Sequence, residues 1–365
     1  MYFVLDGAPE LILSPHPLSG VRKGVGMLPF IQDQLQKIYK PTRLQFFHEV
    51  FRPVLLAQGY RWEERRSGEL RIGYWRRVFR KKDFRKSYPK RFVLIPGLGD
   101  SSLSWLSVLT LCFPALRHQY DEIILFDFPG FGGYLSREKA FPSIDLMMKG
   151  VGDVLDHLKP HTILGHSLGG WLAGHYGVEC GLQNRPASNR LNYSGPEKLF
   201  LVAPSGVYPD AETLEQLKSV FHTALKEGFP HIRPHLFAQE PFWFKYVAGQ
   251  FHQFFAREDI AQFIHSVSPE LTMHEQLQYI QAPVWVIWGE QDTLIPASCA
   301  EVWMKNLSES NRAQSHSVLL KGLGHSPQIE GSTIISAVLA QALYGRTPHE
   351  LGNRWWITHS GHFLG

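Results

Sequence analysis

At 365 residues the chain exceeds the usual single-domain length, yet one α/β domain carrying an insertion accounts for it. Hydrophobic residues make up 44% and charged residues 19%, an ordinary globular balance with an aromatic excess, and no run of about 18 apolar residues offers a spanning helix. A net charge of +4 and three widely spaced cysteines, Cys112, Cys180 and Cys299, argue against a disulfide framework, a zinc motif or a nucleic-acid partner. A reducing, cytoplasmic location is therefore expected.

The N-terminal stretch "MYFVLDGAPELILSP" has no basic leader and carries Asp6 and Glu10 early, so it does not read as a secretory signal. Residues 1–59 form an N-terminal extension with two apolar-periodic segments, 27–39 and 43–58. In the second, Phe46, Phe47, Val50, Phe51, Val54 and Leu55 share one helical face, with Pro53 a candidate kink. Such a face packs on the protein's own body more often than on a membrane surface.

From Tyr60 the pattern alternates, with a Ser67-Gly68 turn between two arms, which predicts an antiparallel hairpin. Residues 61–91 hold 13 Lys or Arg against 4 Asp or Glu, a local balance of +9. This is a solvated hairpin face or, as the alternative, a peripheral contact with anionic lipid or an acidic partner. Short apolar runs follow at 91–96, 122–126, 162–164, 198–202, 284–288 and 317–320, most separated by segments long enough for helices. That alternation predicts a mostly parallel sheet covered by helices on both faces. Residues 207–281 break the rhythm and read as a helical insertion. The tail, residues 345–365, has no clear period, although Trp355 and Trp356 suggest that it packs on something.

In an open parallel sheet, functional groups collect at the carboxyl ends of the strands. Four of the apolar runs end on informative residues: "PGLGDSS" after residue 95, "GHSLGG" after 164, "WGEQDTLIP" with Asp292, and "KGLGHSPQIE" with His325. A serine between glycines at a strand-to-helix turn stands exposed on a tight elbow. Its hydroxyl needs a neutral imidazole as base, and the imidazole needs a buried carboxylate to fix its tautomer. Backbone N–H groups must hold the oxyanion, and the amides of Leu98 and Leu168 are placed to do so.

These motifs, in this order, resemble the α/β-hydrolase fold family over residues 60–344: the "GHSLGG" elbow, the "PGLGDSS" loop, "FDFPGFGG", "WGEQDTLIP" and "GLGHSPQIE". The resemblance implies Ser167 as nucleophile, Asp292 as acid and His325 as base, with the Leu98 and Leu168 amides as oxyanion hole. It also implies a core of residues 60–206 and 282–344, with 207–281 as a mobile helical cap. Among subgroups the chain is similar to small carboxylesterases, monoacylglycerol lipases and carbon–carbon bond hydrolases. It departs from the family pattern in beginning its oxyanion loop Pro96-Gly97 rather than His-Gly, and in placing Ser136 late in the "DFPGFGGYLS" loop.

Asp127 is a rival acid, read here as a loop-capping carboxylate. Asp100 is placed to bond loop amides, and His166 to point into the sheet. The histidines show no zinc-ligand spacing with supporting acids, so neither metal nor cofactor is expected. Residues 236–255 carry eight aromatic rings, more than a small cap can bury, so some are expected to line an apolar pocket over Ser167. The expected activity is hydrolysis of a carboxylic ester with an apolar acyl or aromatic group through an acyl-enzyme. The alternatives are a carbon–carbon bond hydrolase or acyltransferase on the same triad, and a non-catalytic binding protein on a hydrolase fold. The oligomeric state is left open.

Overall fold

The computed structural model describes residues 52–68, 70–80, 88–131, 139–182, 193–242, 244–246, 248–346 and 356–360. The chain divides into two units, Met1–Pro41 and Thr42–Gly365, and every described residue belongs to the second. The apolar segment at 27–39, most of that at 43–58, and Ser136 lie outside the described residues. Residues 52–57 are helical, and Leu55 there is buried.

The described residues form a sheet of nine strands in the order β1-β2-β4-β3-β5-β6-β7-β8-β9. These are β1 Tyr60–Ser67, β2 Leu70–Val78, β3 Arg91–Ile95, β4 Glu122–Asp127, β5 Thr162–His166, β6 Lys198–Val202, β7 Val284–Gly289, β8 His316–Leu320 and β9 Trp356–Ser360. Neighbours from β4 through β3, β5, β6 and β7 to β8 run parallel, while β2 pairs antiparallel with both β1 and β4. The expected hairpin turns at Gly68, whose φ of +58° lies in the left-handed region that glycine tolerates. β9 pairs antiparallel with β8 and corrects the aperiodic reading of the tail. Five residues carry too little alternation to stand out in a sequence.

The inner strands β3, β4, β5 and β7 are buried along their whole length, as both-face coverage requires. Their side chains divide with period two between two cores. Val93, Ile95, Ile124, Phe126, Leu199, Leu201 and Val286 join the helices Ile144–Leu158, Leu168–Leu182 and Cys299–Asn306 on one face. Phe92, Leu94, Ile123, Leu125, Phe200, Val202 and Ile287 join Leu106–Leu111, Phe113–Gln119 and Ser332–Leu343 on the other. Burying each such side chain contributes about 1.5–3 kcal/mol, which makes the sheet a rigid platform for groups at its edge.

Much of the described basic segment is neutralised locally. Arg76 and Arg91 both reach Glu122 at 2.6 Å, and Arg80 meets Asp121 at 2.8 Å. Between β6 and β7 the chain is helical, as expected, with Ala211–Glu227, Ala248–Phe255 and Glu258–His265 joined by short 3₁₀ turns. Asp210 caps the first of these by accepting from the Thr213 amide at 2.7 Å. Among the described residues, no helix is long and apolar enough to cross a membrane.

Candidate active site

Ser167 sits between β5 and the Leu168–Leu182 helix with φ +53°, a left-handed conformation unusual for a residue with a side chain. The glycines around it answer a crowding problem. A Cβ on Gly165 would lie 2.2 Å from the Gly169 carbonyl oxygen, and one on Gly169 would lie 2.2 Å from that of Ile95. The strand, the turn and the helix can approach this closely only without side chains there. The Ser167 amide donates to Val202 O at 2.9 Å, so the elbow is pinned to β6.

The loops after β7 and β8 are interlocked in the same way. The Glu290 amide donates to Leu320 O and the Gln291 amide to Leu323 O, both at 2.9 Å. This juxtaposes two residues 33 apart in sequence: His325 Nδ1 donates to Asp292 Oδ2 at 2.8 Å. The other Asp292 oxygen accepts from the Leu294 and Ile295 amides at 2.9 Å each, holding the carboxylate in place. With its Nδ1 proton committed to Asp292, the imidazole leaves Nε2 as an acceptor. Asp292 and His325 are buried, and His325 shares one cavity with Ser167. No hydrogen bond links the Ser167 hydroxyl to the His325 ring in this structure, a contact that commonly tightens only when substrate binds.

Asp127, the rival acid, is buried at the end of β4, whereas the histidine partners Asp292. The Leu98 amide, in the loop after β3, and the Leu168 amide, at the start of a helix, donate to no group among the described residues. They are therefore open to an oxyanion. Gly97 and Gly99 let this loop lie flat: a Cβ on Gly97 would touch Ser167 Cβ at 3.2 Å, and one on Gly99 would touch the Phe254 ring at 3.2 Å. Asp100 bonds its own loop, accepting from the Ser101 amide at 2.7 Å and the Ser104 hydroxyl at 2.8 Å. Burial pushes its carboxyl up to about 6.

Sequence reasoning missed Gln328 and Glu330, and expected of His166 only that it points into the sheet. His166 is not idle packing: its Nε2–H donates to the His325 carbonyl oxygen at 2.8 Å and so holds the His325 turn. Burial, helped by the nearby His325, lowers its pKa to about 3 and keeps it neutral. Gln328, buried, donates its amide N to His166 Nδ1 at 3.5 Å. Glu330 accepts from the Gly324 amide at 3.1 Å and the Ala238 amide at 2.8 Å. Nothing in the sequence separates Gln328 or Glu330 from ordinary helix residues, because their partners are distant along the chain.

The cavity over Ser167 measures about 70 Å³. Phe237, Phe244, Phe254 and Phe255 line it, together with Phe221 and Phe229, so the expected apolar lining is present. Phe242 instead is 83% exposed, and the side chains of Trp243, Tyr246 and Phe251 lie outside the described residues. Ligand sites usually span about 300–1,000 Å³, so a long acyl chain requires these rings to move apart. No lysine or arginine lines the cavity among the described residues. A larger cleft of about 580 Å³, with Lys90, Asp121 and His161 in its wall, opens at the amino ends of the same strands, away from Ser167.

A parallel sheet with a serine elbow at one strand end, a histidine–carboxylate pair at two others, and a helical segment above them defines the serine-hydrolase class of α/β architecture. The sequence profile of the alpha/beta hydrolase family matches residues 92–335, and the chain belongs to that family. It is 24% identical to monoacylglycerol lipase ABHD6 of Bos taurus over 308 residues, 76% of this chain and 83% of the relative. Among solved structures, a bacterial membrane phospholipase A superposes with a TM-score of 0.60 at 19% identity, covering 87% of this chain and 96% of the other. A 2-hydroxy-6-oxo-6-phenylhexa-2,4-dienoate hydrolase of Rhodococcus superposes with a TM-score of 0.56 at 17% identity, covering 78% and 99%. The chain is thus a hydrolase of the alpha/beta family.

Proposed function

We propose that Ser167, His325 and Asp292 form a charge-coupled triad that cleaves a carboxylic ester with an apolar acyl group through an acyl-enzyme. The observation that carries this reading is the left-handed Ser167 elbow facing the same cavity as a His325 whose Nδ1 is bonded to Asp292. His325 Nε2 takes the hydroxyl proton as Ser167 attacks the ester carbon. The Leu98 and Leu168 amides receive the oxyanion, and His325 then passes the proton to the leaving alcohol. Water, activated by the same imidazole, releases the acid. Each oxyanion donor supplies about 2.7–4 kcal/mol of transition-state stabilisation.

Residues 207–281 act in this reading as a cap whose phenylalanines cover the acyl group, over a core of residues 60–206 and 282–344. The carbon–carbon hydrolase alternative is disfavoured by charge. The substrate named for the Rhodococcus neighbour is a carboxylate, and among the described residues no lysine or arginine lines the cavity to receive one. The relative's name, a monoacylglycerol lipase, supports a lipid-like ester. Such an ester suits an enzyme in the cytoplasm working at a membrane surface, with the exposed Arg65 and Arg66 of β1 as one cationic contact. Co-sedimentation with anionic vesicles tests that contact, and no binding at low salt would remove it.

The central test pairs a fluorophosphonate probe with an ester panel of graded acyl length. Wild-type protein is expected to label and to turn over apolar esters, and Ser167→Ala to do neither. Labelling that persists in Ser167→Ala, or turnover of diketones without esters, would overturn the assignment.

A further inference from the structure

Glu330 stands at the junction between the segment above the cavity and the turn that carries His325. It ends the short Pro327–Glu330 helix and reaches back to accept from the Gly324 amide, with both carboxylate oxygens 3.1 Å away. Gly324 is the residue immediately before His325. The same carboxylate accepts from Ala238 N at 2.8 Å and Gln239 N at 3.3 Å, both in the β6–β7 segment. Phe237, next to Ala238, lines the cavity, and so does Ile329, next to Glu330. The backbones also meet directly. A Cβ on Gly324 would lie 2.5 Å from the Ala238 nitrogen, so nothing larger than glycine fits between the two segments.

This arrangement has a mechanical consequence. Three amides from two separate parts of the chain converge on one anion, and none of the three has another acceptor among the described residues. Withdrawing Phe237 from the cavity pulls Ala238 and Gln239 away from Glu330. The carboxylate then keeps only the Gly324 and Ser326 amides of its own turn, and the His325 turn loses its tie to residues 238–239. On its other side that turn is held by His166 through the His325 carbonyl. Glu330 is therefore the one of these two supports that senses the position of residues 237–239.

We infer that Glu330 is a positioning residue that couples closure of the 237–239 segment over the acyl group to placement of His325. The inference rests on the ester-hydrolase reading and adds to it where the acyl binding energy goes. An apolar acyl chain that parts the other rings and packs on Phe237 holds the segment down, the segment holds Glu330, and Glu330 holds the base. Binding energy from a remote group thus appears in kcat, not only in KM.

The test measures kcat and KM separately for acetyl, butanoyl and octanoyl esters of one alcohol. In wild-type protein kcat is expected to rise with acyl length. In Glu330→Ala and Glu330→Gln, kcat is expected to fall by about tenfold to a hundredfold for the longer esters, and its dependence on acyl length to flatten. Glu330→Asp restores the charge but cannot span both segments, so it should rescue only weakly. A purely structural role would scale all three esters down by one factor, and an unchanged length dependence would overturn the inference. Should the variants not fold, hydrogen exchange on wild-type protein decides. After phosphonylation of Ser167 with a long-alkyl reagent, the amides of Ala238, Gln239 and Gly324 should slow together relative to a methyl reagent. Slowing at 238–239 alone overturns the coupling. Failure of wild-type protein to label or to hydrolyse any ester would instead defeat the parent assignment.

Discussion

Replacing Gly169 by alanine is the smallest change that probes how the elbow is built. The new methyl carbon would start 2.2 Å from the Ile95 carbonyl oxygen and 2.6 Å from that of Pro96, where ordinary contact begins at 3.4 Å. The clashing atoms are backbone, so no side chain can swing aside. The helix start and the oxyanion loop must separate by about 1.2 Å, the difference between those two distances. Such a shift moves the Leu98 and Leu168 amides relative to Ser167, and a displacement of this size costs about a hundredfold in rate, or about 2.7 kcal/mol of barrier. Overpacking adds about 1–3 kcal/mol of lost stability. The assay is kcat/KM on a butanoyl ester alongside thermal unfolding of Gly169→Ala. Activity within about threefold of wild type, less than ~0.7 kcal/mol, together with an unchanged Tm would refute the close-approach argument.

Asp292→Asn preserves the shape of the acid but releases the imidazole tautomer, so kcat should fall by about 10⁴; a loss below tenfold on stopped-flow ester hydrolysis would return Asp127 to consideration. Asp100 binds its proton more tightly folded than unfolded, with its folded value near 6. Between the usual carboxylate range and that value, the native state therefore holds more protons, and stability falls as pH rises. Asp100→Asn removes this penalty, so its urea midpoint relative to wild type should rise between about pH 4 and about pH 6 and level off above, and a flat difference would sink the burial argument. Phe254→Ala removes the ring that touches Gly99 and pairs with Phe131 and Phe255. It should widen acceptance toward bulkier acyl groups at about 3–5 kcal/mol of stability, read from the ester panel and chemical denaturation.

Local chemistry explains what was legible from the residues alone. Apolar runs bounded by turn residues marked β3 to β8 to within two residues at each end, because strands buried on both faces need uninterrupted hydrophobicity. Ser167, Asp292 and His325 could be named because each follows such a run at the end where a parallel sheet exposes its loops. The glycines of the elbow were informative for the same reason: backbone crowding admits no other residue, and that constraint is written in the chain.

Convergence was decided by the tertiary structure. That the ring of His325 meets the carboxylate 33 residues earlier depends on the interlocked loops after β7 and β8. That His166 braces the His325 turn, and that Glu330 accepts from an amide 92 residues before it, depends on backbone groups every residue possesses. β9 is made by pairing to β8 rather than by its own pattern. A side chain that bonds a distant main-chain amide leaves no residue-specific trace at the other end, so folding alone reveals the pair.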